Sequence, residues 1–181
     1  MKRVLLIALF AVSFLCQAGA QSEYYMGDTT VYEINSPDKR ISFSLKVIFN
    51  ESPLYKVTVD GKDVIGWSKL GLTQSADEEL KNWEIHPTTK KVNSAKKVWK
   101  PLWGKRSVVK DEYNWQSFSI GSHGGMDNYD VRVYNEGVAF RMSSLTNYYE
   151  HTEFNFAGDY TAWYYSGERH NIGPEKLSDA D

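Results

Sequence analysis

Three acids and a block of aromatic rings crowd into one short stretch, TEFNFAGDYTAWYYSGERHN, from Thr152 to Asn171. Glu153, Asp159 and Glu168 are of the type that hydrolyses glycosides. That reaction needs two carboxylates flanking the bond, one as general acid and one as base or nucleophile. Tyr160, Trp163, Tyr164 and Tyr165 are of the type that packs on the apolar C–H face of a pyranose, with Asp159 and Glu168 beside them for its hydroxyls. The competing reading is packing. In an extended YTAWYY, Tyr160, Ala162 and Tyr164 point one way and Thr161, Trp163 and Tyr165 the other. One set is then expected in the core or at a domain interface.

Other chemistries find little support. His86, His123, His151 and His170 are scattered, with no i,i+4 pair and no His-Cys spacing, so no zinc site is readable. There is no GxSxG elbow. Lysines between Lys90 and Lys110 interleave with Trp99 and Trp103, a mixture that can bind single-stranded nucleic acid. The net charge of −2 argues instead for lysines on exposed strand faces and edges, with no nucleic-acid partner.

The N-terminus has its own grammar. Lys2 and Arg3 precede an apolar run from Val4 to Leu15, and Ala18-Gly19-Ala20 follows as a small-residue cleavage site. Residues 1–20 therefore read as a secretory signal peptide, with Gln21 as the new terminus and no membrane attachment after cleavage. The rival is a lipid anchor on Cys16, but Ser13-Phe14-Leu15 puts bulky residues where small ones are expected. The expected location is the periplasm, with lipid-anchored or extracellular placement as alternatives. Cys16 is the sole cysteine. After cleavage at Ala20 no thiol nucleophile and no disulfide remain, and the core alone must hold the chain.

The elements that would position these residues are strands. ISFSLKVIF, Ile41 to Phe49, alternates with period two after a turn at Ser36-Pro37-Asp38. LYKVTVDGKDVIG flanks Asp60-Gly61 with β-rich runs, a hairpin signal. Leu70-Gly71-Leu72 suggests a short strand, and Ser75 to Glu78 either a capped short helix or a polar loop. Asn114 to Ile120 reads as a strand and Ser122 to Asn128 as a Gly-rich loop without phosphate-binding spacing. YDVRVYNEGVAFRM, Tyr129 to Met142, is the clearest hairpin, with Gly137 suited to a left-handed position. No long segment has helical period, so an antiparallel sandwich follows. At 181 residues, one domain is expected.

Four segments in order carry a resemblance: WKPLWG (Trp99 to Gly104), EYN (Glu112 to Asn114), VRVYNEGVAFR (Val131 to Arg141) and TEFNFAGDYTAW (Thr152 to Trp163). Together they resemble the N-terminal domain of glycoside hydrolase family 97, from the turn at Ser36 through nearly all the mature chain. The resemblance implies a lead-in over residues 21–35 and, over 36–181, an all-β, antiparallel β-super-sandwich similar to galactose-mutarotase-like domains. It implies that the fold runs on past Asp181, incomplete here at its C-terminus, to a catalytic (β/α)8 barrel. It further implies an exported α-glucosidase or α-galactosidase acting on oligosaccharides. Its acid and its base or nucleophile lie in the barrel, so this chain holds no catalytic residue and is inactive alone. Substrate contacts are expected from Asp159, Trp163 and Tyr164. The resemblance also implies a calcium ion that takes one Glu shortly after the GD-x-x-A-[FW] segment. Glu175 and Glu168 are the alternative candidates. Lys105 after WG and Trp115 after YN depart from the family's usual acids. An autonomous secreted carbohydrate-binding module is the alternative function.

Overall fold

The computed structural model describes residues 29–122, 125–144, 148–165, 167–168 and 171–180, with backbone alone at 82–84, 122 and 125. The expected signal peptide lies outside the described residues.

Alternation builds the first sheet. Ile41, Phe43, Leu45 and Val47 are buried along β2 (Ile41–Ile48), as a period of two requires. β2 pairs antiparallel with β1 (Thr29–Asn35) on one side and β3 (Leu54–Val59) on the other. The second half of the expected lead-in is therefore a strand of the sandwich. β3 turns into β4 (Lys62–Lys69) through Asp60 and Gly61, at φ 50° and 75°. Two consecutive left-handed residues make the turn whose twist matches the flanking strands, which is why Asp-Gly suits it.

The second sheet is organised by one long strand. After a two-residue β5 (Leu72–Thr73) come β6 (Asn82–Pro87), β7 (Asn93–Trp99) and the 14-residue β8 (Val109–Ser122). β9 (Gly125–Tyr134) and β10 (Gly137–Ser143) follow as a meander. The spatial order is β10-β9-β8, and β6 and β7 share the far edge of β8. β6 pairs with Phe118–Ser122 and β7 with Val109–Trp115. Between them, the Thr88 amide donates to the Ser117 carbonyl at 2.8 Å, and Gln116 Nε2 donates to the Thr89 carbonyl at 3.1 Å. The last elements are β11 (Tyr149–Glu150), which pairs with β5, then β12 (Thr161–Tyr165), β13 (Asn171–Lys176) and a 3-10 turn (Leu177–Asp179).

The two sheets pack face to face. Phe43, Leu45, Tyr55 and Val57 from the first meet Phe118, Ile120, Tyr129, Val131 and Val133 from the second. Tyr32 lies 5.1 Å from Phe118 and Tyr55 lies 5.5 Å from Phe140, ring centre to ring centre, across that seam. The all-β antiparallel sandwich expected from the sequence is the fold observed.

Two local expectations need correction, and one open choice is settled. Gly137 has no positive φ: it pairs with Tyr134, leaving a two-residue turn of Asn135 and Glu136. The Gly-rich segment is strand from Gly125 onward, because backbone pairing with β8 continues through Ile120↔Asp127 despite few β-branched residues. Of the two readings of Ser75 to Glu78, the loop holds. Gln74 N donates to the Glu78 carboxylate at 2.9 Å and Glu78 N donates to the Ser75 carbonyl at 3.2 Å, closing a turn.

Phe118 is fully buried at the seam. Phe118→Ala is expected to lower stability by about 3–5 kcal/mol, through lost burial and the cavity left behind. Urea unfolding checks this, and a loss under about 1 kcal/mol would mean the seam is not the packed core described.

Candidate functional site

The stretch that drew attention first does two jobs, and the earlier half is structural. β4 is the last regular strand of its sheet, so its outer edge presents unpaired backbone groups. Residues 153–157 run along that edge as an irregular strand. Glu153 N donates to the Lys69 carbonyl at 3.0 Å, Gly66 N to the Asn155 carbonyl at 2.8 Å and Ala157 N to the Val64 carbonyl at 3.0 Å. Side chains fill the gaps. Glu153 Oε2 accepts from Lys69 N at 3.2 Å, and Asn155 Nδ2 donates to the Trp67 carbonyl at 3.0 Å. From the core, the Tyr55 hydroxyl donates to the Glu153 carbonyl at 2.7 Å. Burial raises that phenol to about 12, so it remains a donor across the physiological range.

Glu153 is thereby accounted for. The Lys69 amide, first, and then the Lys69 ammonium at 3.4 Å hold its carboxyl below the usual carboxylate range. It also lines a polar cleft of about 490 Å³ with Lys69, Glu78, Glu79 and His151. His151 Nε2 lies 2.6 Å from Thr73 Oγ1.

The later half forms a two-stranded ribbon. β12 and β13 pair as Thr161↔Lys176, Ala162↔Glu175, Tyr164↔Ile172 and Tyr165↔Asn171, with a bulge opposite Trp163. Directly paired residues share a face. One face carries Thr161, Trp163, Tyr165, Asn171 and Lys176, all exposed. The other carries Ala162, Tyr164, Ile172 and Glu175, all half-buried. The alternation is as read, but neither set enters the core. Among the described residues the ribbon makes no strand pairing with the two large sheets. Its base is fixed instead by Asp159, whose Oδ1 accepts from Ser178 N at 3.1 Å and whose carbonyl accepts from Lys176 Nζ at 2.9 Å.

The residues expected to touch substrate are thus dispersed. Trp163 and Tyr164 occupy opposite ribbon faces, and the Asp159 carboxylate caps the 3-10 turn. Tyr165 shares the face of Trp163, as the i,i+2 alternation of the sequence requires. Of the two calcium candidates, Glu175 accepts from the Tyr164 hydroxyl at 3.0 Å, while Glu168 sits exposed beyond the far end of the ribbon. The two therefore mark different places. Calcium takes six to eight oxygens, and among the described residues no three His, Cys, Asp or Glu converge on one point. Glu175 fits as a single oriented oxygen donor, and the other ligands of any such site must come from elsewhere.

A second apolar feature lies on the arm after β7. Leu102 is 100% exposed and Trp103 87% exposed, beside half-exposed Trp99.

Two antiparallel sheets, one closed at its edge by an irregular strand that leads into an aromatic ribbon, define an all-β sandwich domain. Residues 34–180 match the family described as Glycosyl-hydrolase 97 N-terminal, and the chain belongs to that family. Among solved structures it is similar to a glycoside hydrolase family 97 enzyme from Pseudoalteromonas sp. strain K8 in complex with panose. The TM-score is 0.59 at 26% identity, covering 74% of this chain. The complex of the enzyme from that strain with acarbose matches equally, at TM-score 0.59 and 26% identity over 74% of this chain and 22% of that one. A beta-arabinopyranosidase shares the fold at TM-score 0.62 and 23% identity, over 73% of this chain and 22% of that one. This chain spans 22% of the length of the panose-bound enzyme's chain.

Glu153 provides a pH test. Its carboxyl is depressed in the folded state, so its stabilisation is complete at neutral pH and is lost as pH falls through the folded value, below 4.5. Glu153→Gln is expected to lower stability at neutral pH, and its gap from the parent should close as pH falls below 4.5. A pH-independent gap in urea titrations would remove Glu153 from the edge-closing role.

Proposed function

We propose that this chain is the non-catalytic β-sandwich of an exported family-97 α-glycosidase, supporting a (β/α)8 barrel and helping to complete its active site on oligosaccharides. The observation that carries the reading is the family match over residues 34–180, joined to relatives solved with panose and acarbose. Export rests on the Lys2-Arg3 start, the apolar run and Ala18-Gly19-Ala20.

In this reading Glu175 supplies one carboxylate to a calcium ion shared with the barrel. The Tyr164 hydroxyl holds that carboxylate in one orientation. When bound, the ion supplies positive charge that polarises a coordinated oxygen. The sandwich contributes position: the ribbon's base is tied down through Asp159 and the 3-10 turn, and the strand before it is sewn to β4.

The test is a chimera in which residues 34–180 replace the aligned segment of the Pseudoalteromonas strain K8 enzyme. The chimera is expected to hydrolyse nitrophenyl α-glucoside or α-galactoside in a calcium-dependent way, and this chain alone to show no turnover. Glu175→Gln should raise the calcium needed for half-activity by about tenfold or more, a loss of about 1.4 kcal/mol in binding. An unchanged calcium requirement defeats the metal assignment. Turnover by the isolated chain defeats the non-catalytic assignment.

A further inference from the structure

The exposed face of the β12–β13 ribbon remains after Glu175 and Asp159 are assigned. We infer that Trp163 and Tyr165 form a stacking platform for two neighbouring sugar rings of an oligosaccharide. The choice of ligand class rests on the family reading above; the platform itself rests on geometry.

Four observations converge. Trp163 and Tyr165 are each 67% exposed, far more than rings recruited to a core. They sit at i and i+2 on one strand, on the same face, with their Cα atoms roughly 7 Å apart. The Trp163 ring is seated on backbone rather than left free. A Cβ at Gly173 would lie 2.5 Å from the Ala162 carbonyl, 3.1 Å from Trp163 Cα and 3.2 Å from Trp163 Cε3. Gly173, at φ 124°, is therefore what lets the backbone of β13 come this close to Trp163. Finally, hydrogen-bonding groups bracket the rings: Thr161 and Lys176 are paired at one end and Asn171 faces Tyr165 at the other.

That combination suits a sugar better than a protein surface. A pyranose needs an apolar face and a polar perimeter within one ring's reach. The arm at Leu102 and Trp103 shows the contrasting pattern, with its apolar side chains almost wholly exposed at the tip of a loop.

The purified chain should be titrated with panose and with maltoheptaose by calorimetry and by NMR of the indole N–H signals. Saturable binding with a dissociation constant on the order of millimolar is expected, about −4 kcal/mol. Trp163→Ala and Tyr165→Ala should each weaken it by about tenfold, and Trp103→Ala should leave it unchanged. Gly173→Ala, if still folded by circular dichroism, should weaken it with both rings present. No binding at tens of millimolar sugar, or binding that Trp163→Ala leaves intact, overturns the platform. Sugar-insensitive dimerisation abolished by Trp163→Ala would assign the face to a second copy and overturns it too. An active chimera with sugar binding absent defeats the platform alone. An inactive chimera with sugar binding present defeats the family role and leaves the platform standing.

Discussion

The backbone edge of β4 is the constraint on which the rest of the C-terminal region depends. A sheet that ended there would leave a row of amides and carbonyls facing outward. Residues 153–157 cover that row with three backbone hydrogen bonds, and the Glu153 and Asn155 side chains complete the ladder where the irregular strand drifts out of register. The cover is tied to the interior as well, since the Tyr55 hydroxyl reaches it from the fully buried core. The ribbon follows directly from this seam in the chain. The ribbon has no large-sheet partner of its own, so the site's geometry is borrowed from an edge.

The ribbon then solves a second problem, which is how two strands with little core behind them keep a defined shape. Polar bonds take the place of burial. Asp159 receives Ser178 N and Lys176 Nζ, Leu177 N donates to the Tyr160 carbonyl at 3.0 Å, and the Tyr164–Glu175 bond staples one face. Such bonds are individually worth about 0.5–1.5 kcal/mol, well below the burial of a core ring. The sandwich and the ribbon are therefore stabilised by different physics. The sandwich depends on apolar seams, the ribbon on a short list of directional contacts.

Legibility in the sequence followed the same division. Period-two burial in ISFSLKVIF, the Asp60-Gly61 turn and the Tyr129 to Met142 hairpin were readable because each is a local rule. The β-sandwich class was readable from their repetition, and the family from four segments in order. The edge cover was not readable. It joins residues 84 and 98 positions apart, through backbone bonds and through the Tyr55 hydroxyl, and has no side-chain period to announce it. Gly137 misled because a glycine after Asn-Glu suggests a left-handed corner, whereas a two-residue turn places it in the strand. The aromatic run was read correctly in its alternation and incompletely in its outcome. Alternation says which rings share a face, not whether anything packs on that face: it put Tyr165 beside Trp163 but could not say that both would stay exposed.

The edge of β4 also has a history in time. Lys69 is synthesised 84 residues before the carboxylate that receives its amide. At the usual rate of chain growth that interval is on the order of 4 to 17 s, during which the first sheet has its strands and lacks its cover. The strand instead carries its own interim guard, with Lys62, Asp63 and Lys69 placing charge at both ends of the bare edge.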